Sequence, residues 1–168
     1  MILSTLAVLV FPLLMALAAS SDLLTMRISN VLVGTLVVAF FVIAVAAGLP
    51  LADVGVNALV GLGVLAVGFT FFAFGWIGGG DAKLAAATTM WVGLGSILPY
   101  LIYAALLGGA LTLALLALRR WPLPEALATV QWIDRLHDTK TGVPYGIALA
   151  LAGILVYADT PIFRVLVA

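Results

Sequence analysis

Two aspartates at the ends of apolar segments carry the chemistry that this sequence supports best. Asp81 follows three glycines in the segment GGGDAKL, residues 78–84, and Asp22 follows the first apolar segment. Two facing carboxyl groups can share one proton, because like charges a few ångströms apart do not both ionise cheaply. The ionised group would take a proton from water while the protonated group polarises a peptide carbonyl. Such a pair would hydrolyse a peptide bond.

Each aspartate also has an ordinary structural interpretation. Asp22 suits a helix end or an ion pair with Arg27, and Asp81 suits a helix start, where it would accept backbone N–H groups. Acids at membrane depth are costly and tend to be functional, so two of them on one side favour a site. The glycines at 78–80 fit that site, because they would let a substrate backbone approach Asp81 closely.

The composition is that of an integral membrane protein. Of 168 residues, 65% are hydrophobic and 8% are charged, whereas soluble domains carry about 25% charged residues. The absence of cysteine excludes a thiolate nucleophile, and a single histidine supplies a catalytic triad or a histidine-based metal site poorly. The zero net charge implies no bulk attraction to nucleic acid. We therefore expect a lipid bilayer around the chain and no metal, cofactor or nucleic acid bound to it.

The charge-free stretches predict an all-α, polytopic membrane protein with about six transmembrane helices, because a span needs roughly 20 apolar residues. The stretch 84–118 is too long for one span, and Gly93, Gly95 and Pro99 divide it. The predicted spans are 2–21, 29–48, 54–76, 82–95, 98–118 and 142–158. The glycines expected to allow close helix packing are Gly61, Gly63, Gly68, Gly108 and Gly109.

The basic residues orient these spans, because Lys and Arg concentrate in cytoplasmic loops. Six spans place on one side Arg27, Lys83, Arg119, Arg120, Arg135 and Lys140. Arg164 falls on the other side, and a five-span arrangement would destroy this asymmetry. Both termini are then predicted on the non-cytoplasmic side. Asp22 and Asp81 are predicted at one cytoplasmic boundary, with Asp53 across the membrane.

Residues 1–168 are interpreted as a single membrane-embedded domain. The largest loop, 119–141, is predicted to be cytoplasmic and to contain an amphipathic helix that opens at Pro124. We expect His137, in that charged loop, to be solvated. Trp76, just before the glycines, is expected to anchor at the membrane interface, and Tyr145 could face the site from the start of the last helix.

Three motifs resemble those of the type IV prepilin leader peptidases, the GxGD-type aspartic proteases of bacterial and archaeal membranes. A family motif with an aspartate, then an arginine and the sequence Ile-Pro-Asn, is similar to Asp22, Arg27, Ile28 and Asn30, with Ser29 where proline is usual. The family motif G-G-G-D-x-K-L is similar to Gly78, Gly79, Gly80, Asp81, Lys83 and Leu84, and GVPYGIALA (142–150) resembles the P-Y-G start of the last helix. The resemblance implies that Asp22 and Asp81 are catalytic and that the other polar and glycine residues of the first two motifs bind substrate or support the site.

The resemblance also implies a substrate and a cellular location. The substrate would be a prepilin with a hydrophobic N-terminal helix, cut after its short basic leader at the cytoplasmic face of the inner membrane, in type IV pilus assembly and protein secretion. Larger peptidases of this kind carry a cytoplasmic domain with paired zinc-binding cysteines, associated with N-methylation. This chain has no cysteine and only the short loop 22–28 there, so it is similar to the short peptidases of Flp/Tad pilus assembly. N-methyltransferase activity is not expected.

Two other interpretations stay open. A presenilin- or signal-peptide-peptidase-like protease also uses GxGD, but its Tyr-Asp pair and Pro-Ala-Leu motif are matched by neither YAD (157–159) nor PEAL (124–127). A non-catalytic small transporter or pilus-assembly scaffold would use the acids to bind a cation or a proton. Its acids should lie near the bilayer midplane, whereas Asp22 and Asp81 fall at the ends of predicted spans.

Overall fold

A computed structural model describes residues 2–168, and every regular element in that range is a helix. The helices are α1 (Ile2–Thr25), α2 (Asn30–Ala46), α3 (Leu51–Ala73), α4 (Gly79–Val92), α5 (Ile97–Leu118), α6 (Glu125–Ala128), α7 (Gln131–His137), α8 (Tyr145–Tyr157) and α9 (Pro161–Val167). The all-α class predicted from the sequence is confirmed. The six long helices also coincide with the six predicted segments.

Within the part of the chain that the structure describes, three stretches are long and apolar enough to cross a membrane: Leu6–Thr25, Leu51–Ala73 and Leu94–Leu118. Helices α8 and α9 would supply a fourth span, bent by 52°, if they cross the membrane together. Helix α2 is apolar but shorter. The six-span topology therefore stays a prediction, as does the side on which the termini lie.

The outer surface of the bundle is apolar. Leu13 of α1, Leu59 of α3 and Leu113 of α5 are 61%, 68% and 69% exposed, and many other large hydrophobic side chains face outward with them. Soluble monomers rarely expose apolar patches larger than a few hundred Å². The helices thus present a surface suited to lipid, as the composition predicts for a membrane protein.

Helix α4 is the centre of the bundle. It packs against α3, α8 and α2, and its residues 86–92 are all buried. Its close contact with α3 depends on two glycines of α3. A Cβ added at Gly61 would lie 2.5 Å from Met90 Cγ, and one added at Gly68 would lie 3.0 Å from Ala82 Cβ. Small residues at these positions let the two helices approach closely.

The packing role predicted for five glycines is confirmed for three of them. Gly61 and Gly68 face α4, and Gly108 of α5 faces the ring of Tyr145, which leaves no room for a Cβ. The prediction is wrong for Gly63 and Gly109, since a Cβ at either position would have nothing within 4 Å. These two glycines point away from the neighbouring helices.

The break predicted within 84–118 is confirmed, and Gly93 makes it. Gly93 has φ +73°, a left-handed conformation that favours glycine, and its N–H donates to the Thr89 carbonyl at 2.9 Å. A short 3-10 turn that contains Gly95 follows. Pro99 lies in the first turn of α5, where a missing N–H leaves no intrahelical hydrogen bond unmade. The proline therefore belongs to the next helix and not to the break.

The 119–141 loop forms two short helices, α6 and α7, and not one continuous amphipathic helix. The β-branched residues Thr129 and Val130 separate them, and the Thr129 hydroxyl donates to the Ala126 carbonyl at 2.9 Å. Such a side-chain bond to the backbone competes with helix propagation. Leu127 of α6 and Leu136 of α7 line one cavity of about 370 Å³.

The chain beyond α8 forms a further helix, α9, which was not predicted from the sequence. Helix α9 begins with Pro161 in its first turn, and the Thr160 hydroxyl oxygen accepts the N–H of Phe163 at 3.3 Å. A threonine cap followed by proline is a typical helix start. The pair Thr160-Pro161 could therefore have predicted the start of α9.

Candidate active site

One end of the bundle contains a cavity of about 540 Å³ between two chain connections. Residues 21, 22 and 25–30, where α1 leads into α2, line one side, and residues 78–81, where α3 leads into α4, line the other. The cavity brings together Asp22 and Asp81 with Arg27, Asn30 and the three glycines. Of the predicted site residues only Lys83 lies outside its lining.

Asp22 lies on the last turn of α1 and is only 5% exposed. Its Oδ2 accepts the backbone N–H of Gly146 at 2.7 Å. Gly146 is the second residue of α8, so this N–H has no partner within its own helix. The contact joins positions 124 residues apart and fixes the carboxyl group of Asp22 at the start of α8.

Asp81 lies in the first turn of α4 and is partly buried. Its carboxyl group lies against the backbone of Gly78, because a Cβ added there would be 2.8 Å from Asp81 Oδ2. Asp81 and Asp22 both line the cavity. The structure thus places the two acids at one cavity from two different helices.

The two glycines next to Asp81 have a packing reason of their own. A Cβ at Gly79 would lie 3.2 Å from Phe72 Cε2, and a Cβ at Gly80 would lie 3.3 Å from Ile28 Cβ. Contacts within the protein itself therefore leave little room for a side chain at either position, without any contribution from a substrate. Gly78 differs, because its neighbour is the Asp81 carboxyl group itself. Substrate approach, expected for all three glycines, stays a prediction.

Lys83 and Asn30 connect the starts of α4 and α2. The Lys83 Nζ donates to Asn30 Oδ1 at 3.0 Å, at an exposed position beside the cavity. Ser29, which stands where the resembling motif usually has proline, caps α2 by accepting the N–H of Leu32 at 3.1 Å. The Arg27 carbonyl accepts the Ser21 hydroxyl at 2.8 Å. These contacts shape the α1–α2 connection around the cavity.

Gly146 is a residue of this site that sequence reasoning missed. It belongs to the PYG motif, but no local pattern shows that its N–H meets Asp22. Its neighbour Tyr145 faces α5, where the hydroxyl donates to the Ala104 carbonyl at 3.3 Å. Tyr145 also lines a second cavity beside Asp81. Trp76 is 71% exposed, a position compatible with the interfacial role expected of it.

Comparison with known protein families identifies the family to which the chain belongs. The model of the type IV leader peptidase family matches residues 9–113, more than half of the chain. The chain belongs to the type IV leader peptidase family. The matched range includes both aspartates and the glycine run, whereas α8 and its Gly146 lie beyond it. No curated protein and no solved structure matches the chain significantly.

In this leader peptidase, two arginines tie the loop between α5 and α8 to the site. Arg119 Nε donates to the Leu136 carbonyl at 2.8 Å, and its Nη2 donates to the Gly142 carbonyl at 3.0 Å. Arg135 Nη1 donates to the Leu24 carbonyl, near the end of α1, at 2.8 Å. Together these bonds hold the chain that leads into α8 against the helix that carries Asp22.

We expect Arg119→Ala to lower kcat for leader removal about tenfold with little change in KM. A hydrogen bond from a charged group contributes about 1.5 kcal/mol at the lower end of its usual range, and each 1.4 kcal/mol is a factor of about ten. The effect should be on kcat because Arg119 holds the chain that leads into α8 and does not line the cavity at Asp22 and Asp81. Initial rates on purified enzyme measure it, with the exposed neighbour Arg120→Ala as the matched control. Equal kcat for the two variants would contradict this positioning role.

Proposed function

We propose that this chain is a membrane aspartic endopeptidase that removes the short basic leader of Flp-type type IV prepilins, with Asp22 and Asp81 as its catalytic pair. One observation carries the proposal: the two acids come from α1 and α4 and line a single cavity at one end of the bundle. Membership in the leader peptidase family supports the prepilin as substrate.

The proposed reaction needs only the two carboxyl groups and water. The ionised carboxylate takes a proton from water as the water oxygen attacks the carbonyl carbon of the scissile peptide bond. The protonated carboxyl group gives its proton to the carbonyl oxygen and stabilises the tetrahedral intermediate. Collapse of the intermediate breaks the C–N bond, and the amine nitrogen receives a proton from the pair. The products are a leader with a free carboxylate and a pilin with a free amino terminus.

The proposed topology has six spans, both termini on the non-cytoplasmic side and the site at the cytoplasmic face of the inner membrane. The positions of the basic residues support it. Lys83, Arg119 and Arg135 lie at the same end of the bundle as the cavity, through their contacts with Asn30, Gly142 and Leu24. Basic residues concentrate on the cytoplasmic side. A basic leader that stays in the cytoplasm would reach the cavity from that side.

The proposed Flp-type substrate and the proposed lack of N-methyltransferase activity rest on the α1–α2 connection. Only residues 26–29 separate α1 from α2. Four residues leave no room at that point for the additional cytoplasmic domain that the larger peptidases carry. The proposed product is therefore an unmethylated pilin.

The test is to express the protein in a bacterial membrane together with a small Flp-type prepilin and to measure the mass of the pilin. The mass should fall by that of the leader, with a free, unmethylated N-terminus, only when the protein is present. EDTA should leave cleavage by the purified protein unchanged. If chelation stops cleavage and added metal restores it, the aspartate mechanism fails. An unprocessed pilin beside folded, membrane-inserted protein would favour the transporter or scaffold alternative.

A further inference from the structure

A second cavity, of about 650 Å³, adjoins Asp81. It lies between the α3–α4 connection, α4 and the start of α8, and we call it the apolar cavity. Its side chains are Trp76, Ile77, Ala85, Val143, Tyr145 and Leu149, with Asp81 at one end. The first cavity, which we call the polar cavity, has hydroxyl, amide and guanidinium side chains from residues 21–30 around Asp22. Asp81 and Gly78 line both cavities.

The two cavities differ in the helices that line them as well as in polarity. The polar cavity lies at the α1–α2 connection, at the end of the bundle. The apolar cavity extends one helical turn into the bundle along two helices, from Asp81 to Ala85 on α4 and from Tyr145 to Leu149 on α8. Four residues of α-helix rise about 6 Å. A peptide held at Asp81 therefore has a polar space toward α1 and the α1–α2 connection and an apolar space along α4 and α8.

We propose that the apolar cavity binds the first apolar side chains of the substrate on the pilin side of the scissile bond, while the polar cavity receives the leader. This inference rests on the proposed function. A prepilin changes from a polar leader to an apolar helix close to the cut, so its chain must meet both environments where the two carboxyl groups act. The junction shared by the two cavities at Asp81 provides that change at the required point.

Gly78 supports this placement of the substrate chain because it lines both cavities where they meet at Asp81. A side chain there would begin 2.8 Å from Asp81 Oδ2. It would stand against the carboxyl group at the point where a substrate chain passes from one cavity to the other. A glycine at this position keeps the passage open.

A third cavity offers a competing place for an apolar segment and serves as the internal control. It has a volume of about 250 Å³ and lies between α2, α3 and α4, where Ala58, Leu62 and Met90 are among its lining residues. Its lining contains neither Asp22 nor Asp81. Side chains bound there would not be adjacent to the scissile bond. Ala58, half-buried like Ala85, allows the same substitution in both cavities.

The experiment pairs Ala85→Leu with Ala58→Leu and assays two prepilins, one with leucine and one with alanine at the first position after the scissile bond. Ala85→Leu fills part of the apolar cavity. It should raise KM for the leucine prepilin about tenfold and change KM for the alanine prepilin little, since single carbon atoms in an apolar pocket alter selectivity by this order. Ala58→Leu should change neither value.

A second variant tests the cavity in the opposite sense, by enlarging it. Val143→Ala should raise kcat/KM for a prepilin with phenylalanine at the same position, relative to the alanine prepilin. The inference is overturned if Ala85→Leu affects both prepilins equally while Val143→Ala changes no selectivity, or if Ala58→Leu produces the leucine-specific loss. If the wild-type protein cleaves none of these prepilins, the proposed function itself fails and this inference falls with it.

Discussion

Replacing either proposed catalytic acid, in Asp22→Asn or Asp81→Asn, should lower kcat for leader removal by about 10²–10⁴-fold, the usual contribution of a general acid or base. Asparagine keeps the shape of aspartate, and its side-chain oxygen can still accept the Gly146 N–H that Asp22 accepts at 2.7 Å. The fold should therefore persist while proton transfer is lost. Because the two groups act as one unit, the double variant should be hardly slower than either single variant.

Asp53→Asn is the matched control for this pair. Asp53 lies in the first turn of α3 and is exposed, whereas the cavity lies where α3 ends and α4 begins. The rate should equal that of the wild type. Single-turnover cleavage of a prepilin by purified, detergent-solubilised enzyme separates the chemical step from product release. A variant of Asp22 or Asp81 that cleaves at the wild-type rate would show that the pair is assigned wrongly.

The approximate positions of the long helices could be predicted from the sequence because the chain has five long runs without charges, the longest of which, 84–118, is shared by α4 and α5. The break at Gly93 could also be predicted from the sequence, since glycine readily adopts the left-handed conformation that ends α4. The short helices were harder to predict from the sequence. Helices α6, α7 and α9 have 4, 7 and 7 residues, too few to give a periodic pattern. Their ends depend on single residues such as Thr129 and Thr160.

The two acids could be assigned to one end of the bundle because successive helices alternate in direction. Counting helices brings Asp22 and Asp81 to the same end without any knowledge of packing. The contact of Asp22 with Gly146 could not be found in this way. It depends on where α8 packs against α1, and no local pattern reports a contact across 124 residues. The division into a polar and an apolar cavity likewise arises only once α4 and α8 lie side by side.

Gly146→Ala should lower kcat about 100-fold, the second largest effect that we expect. A Cβ at this position would lie 2.7 Å from Asp22 Oδ2 and 2.8 Å from Ile28 Cδ1. Both distances are shorter than carbon atoms tolerate, so the carboxyl group or α8 must move. A displacement of about 1 Å in a reacting group can cost about 10²-fold in rate. Alanine otherwise favours a helix over glycine, so loss of helix stability does not explain a slower enzyme.

Two further variants separate the effect on Asp22 from general crowding. Gly63→Ala adds the same methyl group to a helix at a place with nothing within 4 Å, and kcat should not change. Adding Ile28→Ala to Gly146→Ala removes the clash with Ile28 but leaves the clash with the carboxyl group, so kcat should stay low. Full recovery in that double variant would mean that Ile28, and not Asp22, transmits the effect. Low kcat with an unchanged Tm would instead support the Gly146 amide as the group that positions Asp22 for catalysis.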